Sequence, residues 1–374
     1  MVQTLLMTGG DWWSRPTKNL GQQFIIQLIQ NSRSSEPSPN KLRGPINVYV
    51  CTRRPPPAKE LDLSVLRQSS STSGWFSTIA PQDNGSTSDD NILDRIKLHH
   101  LPLDLTSPSS IRACAKSFLE KESKLDVLLL NAAVAPKSRN VTNVKLKGEP
   151  VEEALMTNVL GHALLTESLK SAFHERGSER STRIVTVSSE LHRRIQEIVS
   201  PDTISDLLGP AAWDGMRAYK ITKLIQTHAA FALREMFPDS QLESIAVSPG
   251  EFLTTDIARG RSRGGTDSLL SIETGTTGFV PSTNLSQNSP WLARLFMQYL
   301  LHYAPFASTP EEGGKKIYEA CFGETASPAE DAVYLKDHQS VKAADAIYDV
   351  ELRRAWAHWI RQAIDGLVEP PPAA

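Results

Sequence analysis

The chain has 374 residues, a length that suits one large domain carrying insertions better than two large domains. Hydrophobic residues make up 40% and charged residues 22%, which is enough apolar material for a substantial core and excludes a wholly disordered chain. The formal net charge of -2 lacks the basic excess that nucleic-acid binding requires, so no nucleic-acid partner is expected.

The first residues, MVQTLLMTGG, turn to glycine after a short apolar run and read as a first strand at residues 4–7 rather than as a leader. A helix follows at 20–30, then a Ser- and Pro-rich insertion at 31–44 and a second strand at 46–51. In residues 67–90 Ser, Thr, Gly, Asn and Asp dominate and few apolar residues remain to bury, so a flexible insertion is expected. Strands at 97–101, 125–130, 183–187 and 242–247 then alternate with helices at 111–121, 151–172 and 218–236. That alternation predicts an α/β fold with a doubly wound parallel sheet of Rossmann type, a single domain over 1–374 with surface insertions.

Residues 251–309 follow the last strand, where a loop overhangs the crevice at the strands' carboxyl ends, and are expected to form a C-terminal substrate lid. Within them, the stretch from Trp291 to Tyr303 is aromatic and amphipathic. It suits the lid, with peripheral membrane contact as its alternative use. No run of about 18 apolar residues occurs, so no spanning helix is expected. A last amphipathic helix over 348–367 packs either on the body or on a second subunit, leaving a homo-oligomer open. Cys51, Cys114 and Cys321 are too few and scattered for a disulfide framework or a CxxC metal site, which points to a cytoplasmic, reducing setting and no metal.

The chemistry centres on AYKITK, where Tyr219 and Lys223 lie four apart and so share one helix face. A phenol of ordinary pKa near 10 is a poor acid or base at neutral pH, and a neighbouring ammonium, together with a cofactor's positive charge, is expected to lower that value. Thirty residues earlier, RIVTVSSELH ends a β-branched strand in Ser188 and Ser189, hydroxyls placed to hydrogen-bond a developing oxyanion. Asn158 sits in the otherwise apolar helix MTNVLGHALLT, where its amide needs partners.

Together these residues resemble the short-chain dehydrogenase/reductase family from Thr4 to about Thr255. The matches run in the family's order: TGG at Thr8, Gly9 and Gly10, the arginine of CTRR, LDLT at Asp104, LLNAA at Asn131, NVLGH, VSS, YKITK and SPGEFLT. The resemblance implies Tyr219 as general acid or base and Lys223 as the group that tunes it and holds the nicotinamide ribose. It implies Asn158 as the fourth member of the tetrad. VSS followed by an apolar residue and His is similar to retinol-dehydrogenase-like members, which implies Ser189 rather than Ser188 as the catalytic hydroxyl.

For the cofactor, the resemblance implies that Arg53, at the end of the second strand, receives a 2'-phosphate, which favours NADP(H) over NAD(H). It also implies Asp104 and Asn131 around the adenosine, and Pro249, Gly250 and Thr254 closing over the nicotinamide. The phosphate turn departs from the family's TGxxxGxG: Gly21 matches its last glycine, Asn19 stands for the middle one, about six extra residues intervene, and Arg15 and Lys18 lie among them. The function expected is NADP(H)-dependent interconversion of a carbonyl and an alcohol on a bulky apolar substrate of steroid, polyketide, terpenoid or retinoid type, as in fungal secondary-metabolism reductases. The alternatives are a non-catalytic NADP-binding regulatory protein and an isomerase on the same fold.

Overall fold

In the computed structural model the described residues are 2–10, 19–33, 44–56, 95–250, 309–324 and 332–370. The expected flexible insertion, most of the expected lid, Thr254, Arg15 and Lys18 fall outside them. The parallel strands are β1 (Gln3–Thr8), β2 (Ile46–Thr52), β3 (Ile96–Pro102), β4 (Val127–Leu130), β7 (Thr182–Val187) and β8 (Leu242–Ser248). They run in the order β3-β2-β1-β4-β7-β8, continued by β9 (Val333–Lys336) and the antiparallel β10 (Gln339–Ser340). Order reverses between β1 and β4, which makes the carboxyl ends of those two strands the switch point of a doubly wound sheet.

Each face of the sheet carries its own core. Leu5, Met7, Val48 and Val50 pack with Phe24, Ile25, Leu28 and Ile29 of α1 (Leu20–Arg33) and Ile317 and Tyr318 of α5 (Pro310–Phe322). Leu6, Tyr49 and Leu128 point the other way. They meet Phe118 of α2 (Pro108–Leu119), Leu165 of α3 (Gly161–Ser168), Ile225 of α4 (Gly215–Met236) and Trp356 of α6 (Val350–Asp365). This is the period of two expected of a strand buried on both faces.

Several expectations are corrected. The expected helix at 151–172 begins as a strand: β5 (Val141–Leu146) and β6 (Glu149–Glu152) form a hairpin whose second strand takes up Val151 and Glu152. Lys147 and Gly148 turn it, both at positive φ, Gly148 with open space where a Cβ would be. A helical turn, Glu153–Leu155, and a π-helical turn, Met156–Leu160, then lead into α3. The insertion expected from residue 31 starts later, because α1 continues through Arg33. Helix α5 was missed in the sequence; its Thr309 capping box with Glu312 carries the usual start signal, but two glycines, Gly313 and Gly314, obscure its apolar stripe. Those glycines let α5 approach α1, since a Cβ on Gly314 would lie 2.6 Å from that of Gln23.

Helix α6 packs on α4, so the expected last helix is docked on the body of the chain. No helix among the described residues is long and apolar enough to cross a membrane, and those residues hold no cluster of metal-ligating side chains.

Candidate active site

The site grows from the switch point. Thr8, the last residue of β1, is fully buried, and its Oγ1 accepts the backbone N–H groups of Asn131 at 3.0 Å and Ala132 at 3.1 Å. The Asn131 side-chain amide donates to the Thr8 carbonyl at 3.0 Å, tying the two strand ends together. Gly9 and Gly10 follow at φ of 77° and 100°, a region that favours glycine. Across from them a Cβ on Gly21 would lie 2.7 Å from the Gly10 Cα, so the first turn of α1 rests directly on the end of β1.

Asn19 does not supply a left-handed turn. Its side chain accepts the Gln22 N–H at 2.8 Å and its carbonyl accepts that of Gln23 at 3.0 Å, so it caps α1. The first turn of α1 carries no acidic residue and meets the β1 end at Gly10, a combination that fits a dinucleotide pyrophosphate. Gly21→Val is expected to cost about 1–3 kcal/mol through overpacking against Gly10 and to weaken dinucleotide binding. Thermal melts with and without NADPH check this; unchanged binding would disprove the role assigned to the contact.

Around this contact, Arg53 is exposed at the end of β2. Thr52 before it is held by His100 at 3.0 Å and by the Arg54 carbonyl at 2.8 Å. Asp104, half-buried after β3, accepts the backbone N–H of Thr106 at 2.9 Å and its hydroxyl at 2.7 Å through Oδ1. Pro249 and Gly250 lie just beyond β8, at the same end of the sheet. A separate cleft of about 710 Å³, lined by Arg183, Arg234 and Glu243, opens around the amino ends of β7 and β8, remote from this chemistry.

Tyr219 and Lys223 come from α4, a helix started by the Asp214 side chain accepting the Arg217 N–H. Both are buried, as are Ser189 and Asn158. Ser189 lies two residues beyond β7, at the start of the next turn, and its hydroxyl hydrogen-bonds the Tyr219 hydroxyl. Ser188 is turned away, its hydroxyl 2.7 Å from that of Thr227. Lys223 Nζ donates to the Val187 carbonyl at 2.7 Å and to Gln226 Oε1 at 2.9 Å, and lies 5.7 Å from the centre of the Tyr219 ring. The expected lowering of the Tyr219 pKa is not found: burial pushes the phenol well above its usual value, against a smaller opposing effect of Ser189. Burial also pushes the Lys223 ammonium down to about 7. The Asn158 amide accepts the Val134 N–H at 2.8 Å and donates to the Val134 carbonyl and the Thr222 hydroxyl, both at 3.0 Å, so its partners are protein groups.

Sequence reasoning missed His162 and Gln226. Thr8 Oγ1 already accepts two N–H groups, so its proton goes to His162 Nε2 at 2.9 Å, which leaves Nδ1–H facing the Asn158 carbonyl at 3.2 Å. Burial and the Lys223 charge push His162 down to about 3 and keep it neutral. Gln226 Nε2 lies 3.3 Å from His162 Nδ1, and since both nitrogens carry hydrogen this is a close approach without a hydrogen bond that sets the surroundings of Lys223 beside those of Thr8. The helical spacings Asn158 to His162 and Lys223 to Gln226 were the signals available for finding it.

A glycine-floored switch point beside a buried Ser-Tyr-Lys group defines the class of nicotinamide-dependent oxidoreductases. A model of the family described as short chain dehydrogenase matches residues 86–200. The mouse (Mus musculus) polyprenol dehydrogenase is 32% identical over 270 residues, covering 71% of this chain and 68% of that protein. A short-chain dehydrogenase/reductase of the fungus Pestalotiopsis microspora is 31% identical over 161 residues, covering 42% of this chain and 53% of that one. The crystal structure of the KRED1-Pglu enzyme, 14% identical, covers 89% of this chain and 100% of its own at a TM-score of 0.46. The chain therefore belongs to the short-chain dehydrogenase/reductase family, oxidoreductases that use a nicotinamide cofactor on alcohols and carbonyls of small molecules.

Proposed function

We propose that the chain is an NADP(H)-dependent reductase of a bulky apolar carbonyl compound, acting with Tyr219, Ser189, Lys223 and Asn158. The observation that carries this reading is the Ser189 to Tyr219 hydrogen bond at the carboxyl end of β7, beside buried Lys223. The chemistry that NADPH would supply when bound is hydride for the carbonyl carbon. Ser189 donates a hydrogen bond to the carbonyl oxygen, and Tyr219 Oη transfers its proton there, giving the alcohol. Burial holds the phenol above its ordinary value, so Tyr219 carries at neutral pH the proton that reduction needs. Lys223 would hold the nicotinamide ribose, and Asn158 pins its helix to Val134. Thr8, Gly9, Gly10, Gly21, Asp104, Asn131, Pro249, Gly250 and Thr254 hold the dinucleotide.

The similarity to a polyprenol dehydrogenase supports a lipid-like isoprenoid substrate, ahead of the steroid, polyketide and retinoid classes. A single cytoplasmic domain with residues 251–309 as lid, in contact with a membrane surface through 291–303, accords with such a substrate.

NADPH and NADH oxidation, measured with long-chain isoprenoid aldehydes and lipophilic ketones, tests the reading. Turnover preferring NADPH is expected, whereas tight NADPH binding without any turnover would overturn it in favour of a nucleotide-binding protein. Arg53→Glu is expected to cut the NADPH preference by about 10- to 100-fold, the worth of one charge-assisted hydrogen bond. The ratio of kcat/KM for the two cofactors reads this out, and an unchanged ratio removes Arg53 from the 2'-phosphate site.

A further inference from the structure

We propose that His192 is a positioning residue that clamps Ser189 and ties it to the C-terminal segment, an inference that rests on Ser189 being the hydroxyl that polarises the carbonyl. His192 is buried in the turn after β7, with both ring nitrogens committed. The Ala344 backbone N–H donates to Nε2 at 3.1 Å. An amide hydrogen has no other use there, so Nε2 is the acceptor and Nδ1 carries the ring proton. That proton is donated to the Ser189 carbonyl at 2.6 Å, the same carbonyl that accepts the His192 backbone N–H at 3.1 Å. The ring is packed edge-on against Tyr334 of β9 at 5.0 Å, and burial lowers its pKa, which keeps it neutral.

Glu190, one of the two residues between them, is held by the same segment. It is buried directly after Ser189, accepts the Tyr334 hydroxyl, and pairs with Lys336 of β9 at 3.4 Å and with Arg193 at 3.2 Å. Ser189 itself is extended, at φ −157° and ψ 142°, with its Oγ accepting the Leu191 N–H at 3.3 Å. Its carbonyl is thus fixed by His192 Nδ1 and its hydroxyl by the turn and Tyr219, while His192 Nε2 and Glu190 anchor residues 333–344 to the same turn.

The two nitrogens can be separated. In His192→Asn the side-chain amide takes the place of Nδ1–H and keeps the Ser189 bond while losing Ala344; in His192→Gln the amide oxygen takes the place of Nε2 and keeps Ala344 while losing Ser189. The expected result is a crossed ranking. His192→Gln melts near the wild-type temperature but its kcat falls about tenfold, the worth of one ordinary hydrogen bond, at unchanged KM for NADPH. His192→Asn melts lower yet keeps kcat within about twofold by the same reckoning. If kcat and melting temperature fall together in both variants, His192 only packs and the proposal is overturned. Nitrogen-15 NMR of histidine-labelled wild-type protein near neutral pH provides a readout independent of turnover. Nδ1–H with an accepting Nε2 is expected, and an Nε2–H or charged ring refutes the clamp. A wild type without turnover that still shows the Nδ1–H ring refutes the enzymatic reading while the clamp itself stands.

Discussion

Tyr219→Phe is expected to lower kcat by about 10²- to 10⁴-fold, the usual contribution of a positioned general acid, with NADPH binding preserved. Phenylalanine keeps the ring that packs in the buried face of α4 and removes only the hydroxyl that meets Ser189. The partner left behind is a serine whose Oγ still has the Leu191 N–H, so the fold loses little. Turnover in single-substrate assays and NADPH titration by fluorescence, run side by side, check the result. A variant retaining most of its activity would show that the proton comes from elsewhere.

Lys223→Met is expected to abolish turnover while changing stability in a pH-dependent way. The ammonium titrates at about 7 in the folded chain against an ordinary value of 10.5, because burial disfavours its charge. Below pH 7 both folded and unfolded chains carry the proton, and the cost of the buried charge is felt in full. Between pH 7 and 10.5 folding releases a proton, so the wild type gains stability as pH rises. Methionine has no such titration. The stability of the variant relative to wild type is therefore greatest below pH 7 and falls by about 3–5 kcal/mol toward pH 10.5. Loss of the donor to Val187 and Gln226 offsets part of the gain at every pH by leaving two buried acceptors unmet. Denaturant melts of both proteins across that range decide it; parallel stability curves would refute a buried, strained ammonium.

The shifts of Tyr219 and Lys223 both arise from burial, which the YxxxK spacing does not reveal. Spacing places Tyr219 and Lys223 on one helix face and suggests that the ammonium lowers the phenol's pKa. In the folded chain the ammonium is directed at the Val187 carbonyl and Gln226, and the phenol is raised instead. The choice between Ser188 and Ser189, taken in the sequence from resemblance alone, has a physical counterpart in the Ser188 to Thr227 bond that turns the first hydroxyl away. Asn19 shows the reverse case, a residue compared with a glycine that works as a helix cap.

What the sequence determined by itself is the doubly wound sheet, because strand and helix periods are local properties that survive insertions. All six strands expected from apolar runs are present. It also determined the order of the motifs, and with it the family. Only the tertiary structure decided where α5 packs, that β5 and β6 interrupt the run into α3, and that His162 and Gln226 lie between Thr8 and Lys223 and His192 against Ser189. These depend on contacts between residues far apart in the chain: Thr8 with His162, and His192 with Ala344. No periodicity encodes such contacts, since a buried polar side chain is matched to its partner by three-dimensional position and by the cost of leaving it unpaired.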